Sequence, residues 1–91
     1  MRFKWDQNKN KKLIADSRRG LSFIKIQEIF NRQYYLDQKN DDPEQFRAIG
    51  FVDNKMFTLI FESREDDDGE YYHLITYWPS TKTEKELFYD N

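Results

Sequence analysis

The chain contains no cysteine and only three glycines and two prolines in 91 residues. Without cysteine it has no disulfide framework, no thiolate metal site and no cysteine nucleophile. The glycines stand alone at positions 20, 50 and 69, so they do not form a glycine-rich phosphate loop. The single histidine gives a zinc or iron site too few nitrogen ligands. We therefore predict a protein with no metal and no cofactor.

Long apolar runs are absent as well. No stretch approaches the roughly 18 apolar residues that a membrane-spanning helix needs. The N-terminal sequence MRFKWDQNKN lacks the apolar segment of a signal peptide. We expect a cytoplasmic protein with no membrane partner. A length of 91 residues predicts one domain over residues 1–91, with a single modest core.

The composition is rich in aromatic and charged residues. Hydrophobic residues make up 37% and charged residues 35%, but the 18% of aromatic residues can build a core from few side chains. Charge is uneven, because residues 1–47 carry 11 Lys/Arg against 7 Asp/Glu (net +4) and residues 48–91 carry 4 against 10 (net −6). This asymmetry indicates either a basic surface for an anionic partner or ordinary solvated lysine-rich helices.

Hydrophobic spacing in the first third of the chain predicts a strand followed by two helices. RFKW alternates as a short strand, and Asp6 is a suitable N-cap for a first helix that runs to Asp16. We expect Gly20 to adopt a left-handed conformation in the turn that connects the two helices. Ser22 can cap a second helix, whose apolar residues recur at helical spacing and predict a buried stripe: Phe23, Ile26, Ile29 and Phe30.

The rest of the chain predicts an antiparallel meander and a final helix. YYLD is a candidate strand, QKNDDPE a polar loop, and residues 46–52 and 56–63 a hairpin around a turn at 52–55. Apolar residues of MFTLIF occupy both odd and even positions, so both faces of this strand should be covered and the strand should lie in the centre of the sheet. REDDDGE is predicted as a solvated acidic loop before strand 71–78, and Thr81 with Glu84 forms a capping box. The predicted fold is α+β: strand, two helices, three to four antiparallel strands and a C-terminal helix.

Several short motifs occur in a fixed order along nearly the whole chain. They are F-x-W-D-x-x-K at residues 3–9, the basic pair and glycine before L-S-F, E-x-F-R-A-I-G at residues 44–50, MFTLIFESR, and a closing I-T followed by a helix ending in Tyr89. Together they resemble the BrnT family of bacterial toxins. The resemblance implies a RelE-like fold, and a type II toxin-antitoxin toxin that cleaves RNA without a metal. It also implies neutralisation by a BrnA-like ribbon-helix-helix antitoxin, with a homodimer or a heterotetramer as possible assemblies.

The resemblance also implies functional residues. Arg47 and Arg64 stand where the family has arginines, and Arg19 and Arg18 replace a family histidine and lysine. His73 and Trp78 lie in the last strand, where the family has arginines. Guanidinium groups stabilise charge on phosphoryl oxygens, and histidine transfers protons near neutral pH. The predicted catalytic residues are thus Arg47, Arg64, His73 and Arg19, and the predicted RNA-binding residues are Arg18, Lys9, Lys12, Tyr77 and Trp78.

Other interpretations remain open for these residues and for the whole protein. In the alternative interpretation, Arg47 is a cross-strand ion-pair partner, His73 is a partly exposed strand residue, and Tyr77 and Trp78 are core or dimer contacts. A catalytically degenerate family member would bind an antitoxin-like partner or RNA without cleavage. A small RNA-binding or structural domain could share only the fold.

Overall fold

A computed structural model of the protein, which describes residues 1–90, has an α+β fold with one five-stranded mixed sheet. In the sheet the strands lie in the order first, fifth, fourth, third, second along the chain: the last four form the predicted antiparallel meander, and the first lies at one edge, parallel to the fifth. Within these residues no helix is long and apolar enough to cross a bilayer. The elements are β1 Arg2–Trp5, α1 Gln7–Ala15, α2 Phe23–Ile26, a 3-10 helix Gln27–Asn31, β2 Tyr34–Asp41, β3 Glu44–Val52, β4 Lys55–Asp66, β5 Gly69–Pro79 and α3 Lys82–Tyr89.

The predicted helix signals are confirmed in the first third of the chain. The Asp6 carboxylate accepts a hydrogen bond from the Lys9 N–H at 2.9 Å and caps α1. Gly20 has φ +74°, and its N–H donates to the Leu13 carbonyl at 3.0 Å. Only glycine adopts this conformation without steric cost, which explains its place after the helix. The second helix is shorter than predicted, because the α-helical backbone tightens into the 3-10 helix after Ile26.

The core lies between the sheet and the first three helical segments. We call this side of the sheet the helix face. Side chains on alternate strand positions point to it, and they meet the apolar stripe of the helices. The buried cluster comprises Leu13, Phe23, Ile26, Ile29, Ala48, Val52, Phe57, Leu59, Phe61, Leu74 and Tyr77.

Helix α3 packs on the opposite side of the sheet, which we call the α3 face. Its capping box is confirmed, because the Thr81 hydroxyl accepts from the Glu84 N–H and the Glu84 carboxylate accepts from the Thr81 N–H. Phe88 contacts Phe51 edge-on, with ring centroids 5.6 Å apart. Residues 56–61 of β4 are buried, so the prediction of a central strand covered on both faces is confirmed.

The two predicted polar loops were wrong, because both segments are largely strand. QKNDDPE contributes the end of β2 and the start of β3, with a turn at residues 42–43. REDDDGE extends β4 to Asp66 and begins β5 at Gly69. Backbone ladder hydrogen bonds extend these hairpins past the core, where polar side chains remain solvated. The Asp66 carboxylate at the end of β4 also links β4 to the edge strand β1, because it accepts hydrogen bonds from the side chains of Arg2 and Lys4.

Candidate functional site

A row of polar side chains crosses the α3 face at the end that α3 does not cover. His73 on β5 is the Cα partner of Lys4 on β1 and of Glu62 on β4. Gln45 on β3 continues the row, since its Nε2 donates to Glu62 Oε2 at 3.1 Å. The next row along the strands contains Tyr71 and its Cα partner Arg64. We call these residues the open sheet surface: Lys4, Gln45, Glu62, Arg64, Tyr71 and His73.

Arg64 lies on this surface because it follows Glu62 by two residues in a strand, where alternate side chains share a face. Its Nε donates to Glu62 Oε1 at 2.8 Å. This bond raises the pKa of Arg64, and the hydrogen bonds from Gln45 and then Arg64 lower the pKa of Glu62. The Arg64 side chain is 44% exposed. The guanidinium is therefore oriented by the carboxylate and still open to an anion from solvent.

His73 lies half-buried between Lys4 and Glu62. Burial lowers the pKa of its imidazole, and the positive charge of Arg64 lowers it further. The carboxylates of Glu62 and Asp6 oppose this shift without reversing it. His73 is consequently a neutral base at neutral pH, able to accept a proton.

Arg47 lies on the same face of the sheet, between the open sheet surface and α3. Its Nε donates to Asp37 Oδ1 at 2.9 Å, and Asp37 also accepts from the Tyr35 hydroxyl at 3.0 Å. Burial alone would raise the pKa of Asp37, but the bonds from Arg47 and Tyr35 outweigh it and the pKa is lowered. Glu84 of α3 is 4.0 Å from Arg47 Nη1. Two carboxylates thus hold this guanidinium in place.

Arg47 and Arg64 therefore share one face of the sheet. Arg47 on β3 is the Cα partner of Ile60 on β4, and Arg64 follows Ile60 by four residues. The two arginines are therefore about 13 Å apart in the direction of the strands. Glu62 lies between them. The structure brings Arg47, Arg64 and His73 to one surface, and it gives each arginine a carboxylate partner.

Arg19 lies elsewhere, at the turn after α1. Its Nε donates to the Tyr77 carbonyl at 2.6 Å and its Nη1 to Asp16 Oδ2 at 3.1 Å. Tyr77 is fully buried in the core, and its hydroxyl donates to the Leu21 carbonyl at 2.6 Å. Arg19 therefore fastens the turn to β5, away from the open sheet surface. These positions do not favour the predicted catalytic role of Arg19 or the predicted RNA-binding role of Tyr77.

The remaining predicted RNA-binding residues are also dispersed. Lys9 and Lys12 are exposed on α1, and Arg18 is exposed in the following turn, all in the helix layer across the sheet from His73. Trp78 lies under α3, where its Nε1 donates to the Glu84 carboxylate at 3.0 and 3.2 Å. The predicted residues thus divide into a group on the α3 face and a basic group in the helix layer, with the sheet between them.

Sequence reasoning missed several members of the open sheet surface. The spacing of Glu62 and Arg64 in a predicted strand could have indicated a shared face. Lys4 gave no local signal, because it reaches the surface through parallel pairing of β1 with β5. The Nζ of Lys4 lies 4.3 Å from the centre of the Tyr71 ring, a cation–π contact at the edge of the sheet.

The sequence matches no protein-family model, and no curated protein matches it significantly. Within residues 1–90, no three Asp, Glu or His side chains are grouped so that they could hold a metal ion. The open sheet surface combines fixed cations with a neutral imidazole. Chemically, this arrangement can bind a phosphate-bearing chain and accept a proton from it.

Proposed function

We propose that the chain is a BrnT-like toxin with a RelE-like fold, a metal-independent endoribonuclease of a type II toxin-antitoxin system. The observation that carries this proposal is the position of Arg64 and His73 on the open sheet surface, diagonal to each other on the adjacent strands β4 and β5, with Arg47 on the same face. The order of BrnT-like sequence motifs supports the family and the fold.

The chemistry follows from these two groups. His73 accepts the proton of a ribose 2′-hydroxyl, and the resulting oxygen forms a bond to the adjacent phosphorus. The bond from phosphorus to the 5′-oxygen breaks, and the leaving oxygen takes a proton from water. Negative charge grows on the non-bridging oxygens during this step, and the Arg64 guanidinium stabilises it. The products are a 2′,3′-cyclic phosphate and a 5′-hydroxyl.

Glu62 and Asp37 act as internal substitutes for phosphate in the free protein. Both are carboxylates that accept hydrogen bonds from the two arginines, which is the geometry a phosphate would offer. When RNA binds, its phosphate competes with Glu62 for the half-exposed Arg64. Arg47 is more enclosed, with 20% of its side chain exposed, and it serves to hold the backbone of the RNA near α3.

The proposed partner is a BrnA-like ribbon-helix-helix antitoxin, which would neutralise the toxin as a heterotetramer or bind its homodimer. In this proposal the protein alone arrests growth when expressed, and co-expression of the antitoxin restores growth.

The test uses purified protein, an RNA substrate, and the same RNA with 2′-O-methyl groups. We expect cleavage of the RNA in EDTA, with cyclic phosphate ends, and no cleavage of the methylated RNA, because its 2′-oxygen cannot attack. Cleavage of both substrates would contradict the mechanism. The absence of cleavage, together with normal growth on expression, would contradict the proposed nuclease activity.

A second candidate function is an inactive family member that binds an antitoxin-like protein or RNA. The observation that favours it is that both arginines already have carboxylate partners. Salt-sensitive RNA binding without cleavage would distinguish this function from the first.

A further inference from the structure

A second surface lies on the helix face, across the sheet from Arg64 and His73. Beyond the 3-10 helix, the sheet is not fully covered, and a groove of about 180 Å³ remains. Leu36 on the edge strand β2 is 50% exposed beside it. We call it the Leu36 groove; its lining residues are Leu36, Phe46, Phe61, Ser63 and Tyr72.

Carboxylates rim this groove. Glu44, Glu65 and Glu70 each lie two residues from a lining residue in the same strand, so they project from the same face. Two residues span about 6.6 Å along a strand, which places the charges next to the apolar floor. Asp41 is the Cα partner of Glu44 and lies on this face as well.

The four carboxylates stand in two like-charged pairs on adjacent strands. Glu65 and Glu70 are Cα partners on β4 and β5, as Asp41 and Glu44 are on β2 and β3. Like charges directly opposite in a sheet are destabilising. In the part of the chain that the structure describes, none of these four carboxylates forms an ion pair with a lysine or arginine. A positively charged partner would therefore supply the cations that this rim lacks.

We propose that the Leu36 groove binds a segment of a partner protein that carries apolar side chains flanked by lysine or arginine. Apolar side chains of the segment cover Leu36 and Phe46, and its cations face the acidic rim. Charge complementarity selects this occupant over an acidic or neutral segment. The groove and the open sheet surface lie on opposite faces, so the proposal does not depend on nuclease activity.

The exposed basic side of α1 in a second copy of the chain is the main competing occupant. It carries Ile14, which is 47% exposed, near several lysines. A contact between α1 of one copy and the groove of the next is heterologous, and it would extend into open chains unless it closed into a ring. We therefore assign the groove to a different protein.

The experiment measures binding of a fluorescent helical peptide of leucine and lysine, about 14 residues long, near the length at which an isolated helix becomes stable. A peptide with glutamate in place of lysine is its control. We expect the lysine peptide to bind, with affinity that falls as salt rises, and the glutamate peptide not to bind. Absence of binding by the lysine peptide would overturn the proposal.

Matched variants locate the site. Leu36→Ser should weaken binding about tenfold, because it removes half-exposed apolar contact area. Ile24→Ser, at a residue of α2 that is 63% exposed, should leave binding unchanged. The double variant Glu65→Lys with Glu70→Lys should weaken binding about tenfold or more. Its control is the double variant Glu86→Lys with Asp90→Lys at α3, which changes the net charge by the same amount and should leave binding unchanged.

Equal losses from the two charge-reversed pairs would mean non-specific attraction and would overturn the proposal. Concentration-dependent self-association in sedimentation, abolished by Leu36→Ser, would also overturn it and assign the groove to a second copy. Circular dichroism melts check that every variant is folded.

Discussion

Glu62 and His73 are Cα partners on adjacent strands, and Arg64 donates a hydrogen bond to the same Glu62. The pKa of the His73 imidazole therefore depends on its burial, on the positive charge of Arg64 and on the negative charge of Glu62. The balance keeps the pKa of His73 below its ordinary value of 6.5. This arrangement makes the single histidine of the chain a direct reporter of the proposed site.

The pKa of His73 should respond in opposite directions to its two neighbours. Arg64→Gln removes a positive charge and should raise the pKa, whereas Glu62→Gln removes a negative charge and should lower it. Histidine ring NMR signals followed against pH give the values, and they need no assignment because the chain has one histidine. An unchanged pKa in both variants would mean that the three side chains are not coupled.

RNA cleavage should depend on pH through the neutral form of His73. The rate should fall as the pH drops below the pKa of His73 and should level off above it, with a midpoint below pH 6.5. His73→Gln should slow cleavage by about 10²–10⁴-fold and remove this limb of the profile. A pH profile that is the same in His73→Gln and in the unaltered protein would contradict the role of His73 as the base.

Glu84 should anchor α3 to the sheet. Its carboxylate accepts from the Thr81 N–H and from Trp78 Nε1, and it is 7% exposed. Glu84→Gln replaces a charged acceptor by a weaker one, so we expect a loss of about 1–3 kcal/mol in the free energy of unfolding. Denaturant unfolding measures it, with Glu86→Gln on the exposed side of α3 as the control, expected within about 0.5 kcal/mol of the unaltered protein.

The contribution of Glu84 should also depend on pH. Burial alone would raise the pKa of its carboxyl, but the hydrogen bonds from Thr81 and Trp78 outweigh it and the pKa in the folded protein is lowered. The stabilisation is therefore complete above the ordinary value of 4.5 and is lost as the pH falls through the lower, folded-state pKa. The stability difference between Glu84→Gln and the unaltered protein should shrink in acid; a constant difference would contradict the ionised-acceptor account.

Arg19 should matter for stability and not for cleavage. Arg19→Ala removes the bonds to the Tyr77 carbonyl and to Asp16, and it should cost about 1–2 kcal/mol in the free energy of unfolding. The cleavage rate of the folded variant should stay within about twofold of the unaltered protein, since Arg19 does not touch the reacting atoms. Arg18→Ala, at a neighbouring exposed residue, should change neither quantity. A large loss of activity in folded Arg19→Ala would return Arg19 to the catalytic site.

Local patterns predicted the frame of the fold. The N-cap at Asp6, the left-handed Gly20 and the capping box of Thr81 and Glu84 are short-range signals that depend only on neighbouring residues. The central position of β4 was predicted from apolar residues at both odd and even positions of the strand. The strands at the polar ends of the two hairpins were not predicted, because strand pairing there is stabilised by backbone hydrogen bonds and not by an apolar pattern.

The candidate site was only half predictable. Arg47 and Arg64 were predicted from motif position, and the turn at residues 53–54 fixes their shared face through the register of β3 and β4. The carboxylate partners Asp37 and Glu62 depend on which strands become neighbours, which is a tertiary property. The position of Arg19 away from the open sheet surface could not be predicted, because a charge beside a turn looks the same in sequence whether it binds a ligand or a backbone carbonyl.

The most direct test of the account is RNA cleavage by the double variant Arg47→Gln and Arg64→Gln in the presence of EDTA. Its control is Arg18→Gln with Arg32→Gln, which removes two exposed positive charges away from the open sheet surface. Circular dichroism confirms that both proteins are folded before the rates are compared. We predict loss of cleavage by about 10³-fold or more in the first pair, because it removes the Arg64 guanidinium that stabilises the reacting phosphate and the Arg47 guanidinium that holds the RNA backbone, and little change in the second. Equal activity of the two double variants would contradict a nuclease site on this surface.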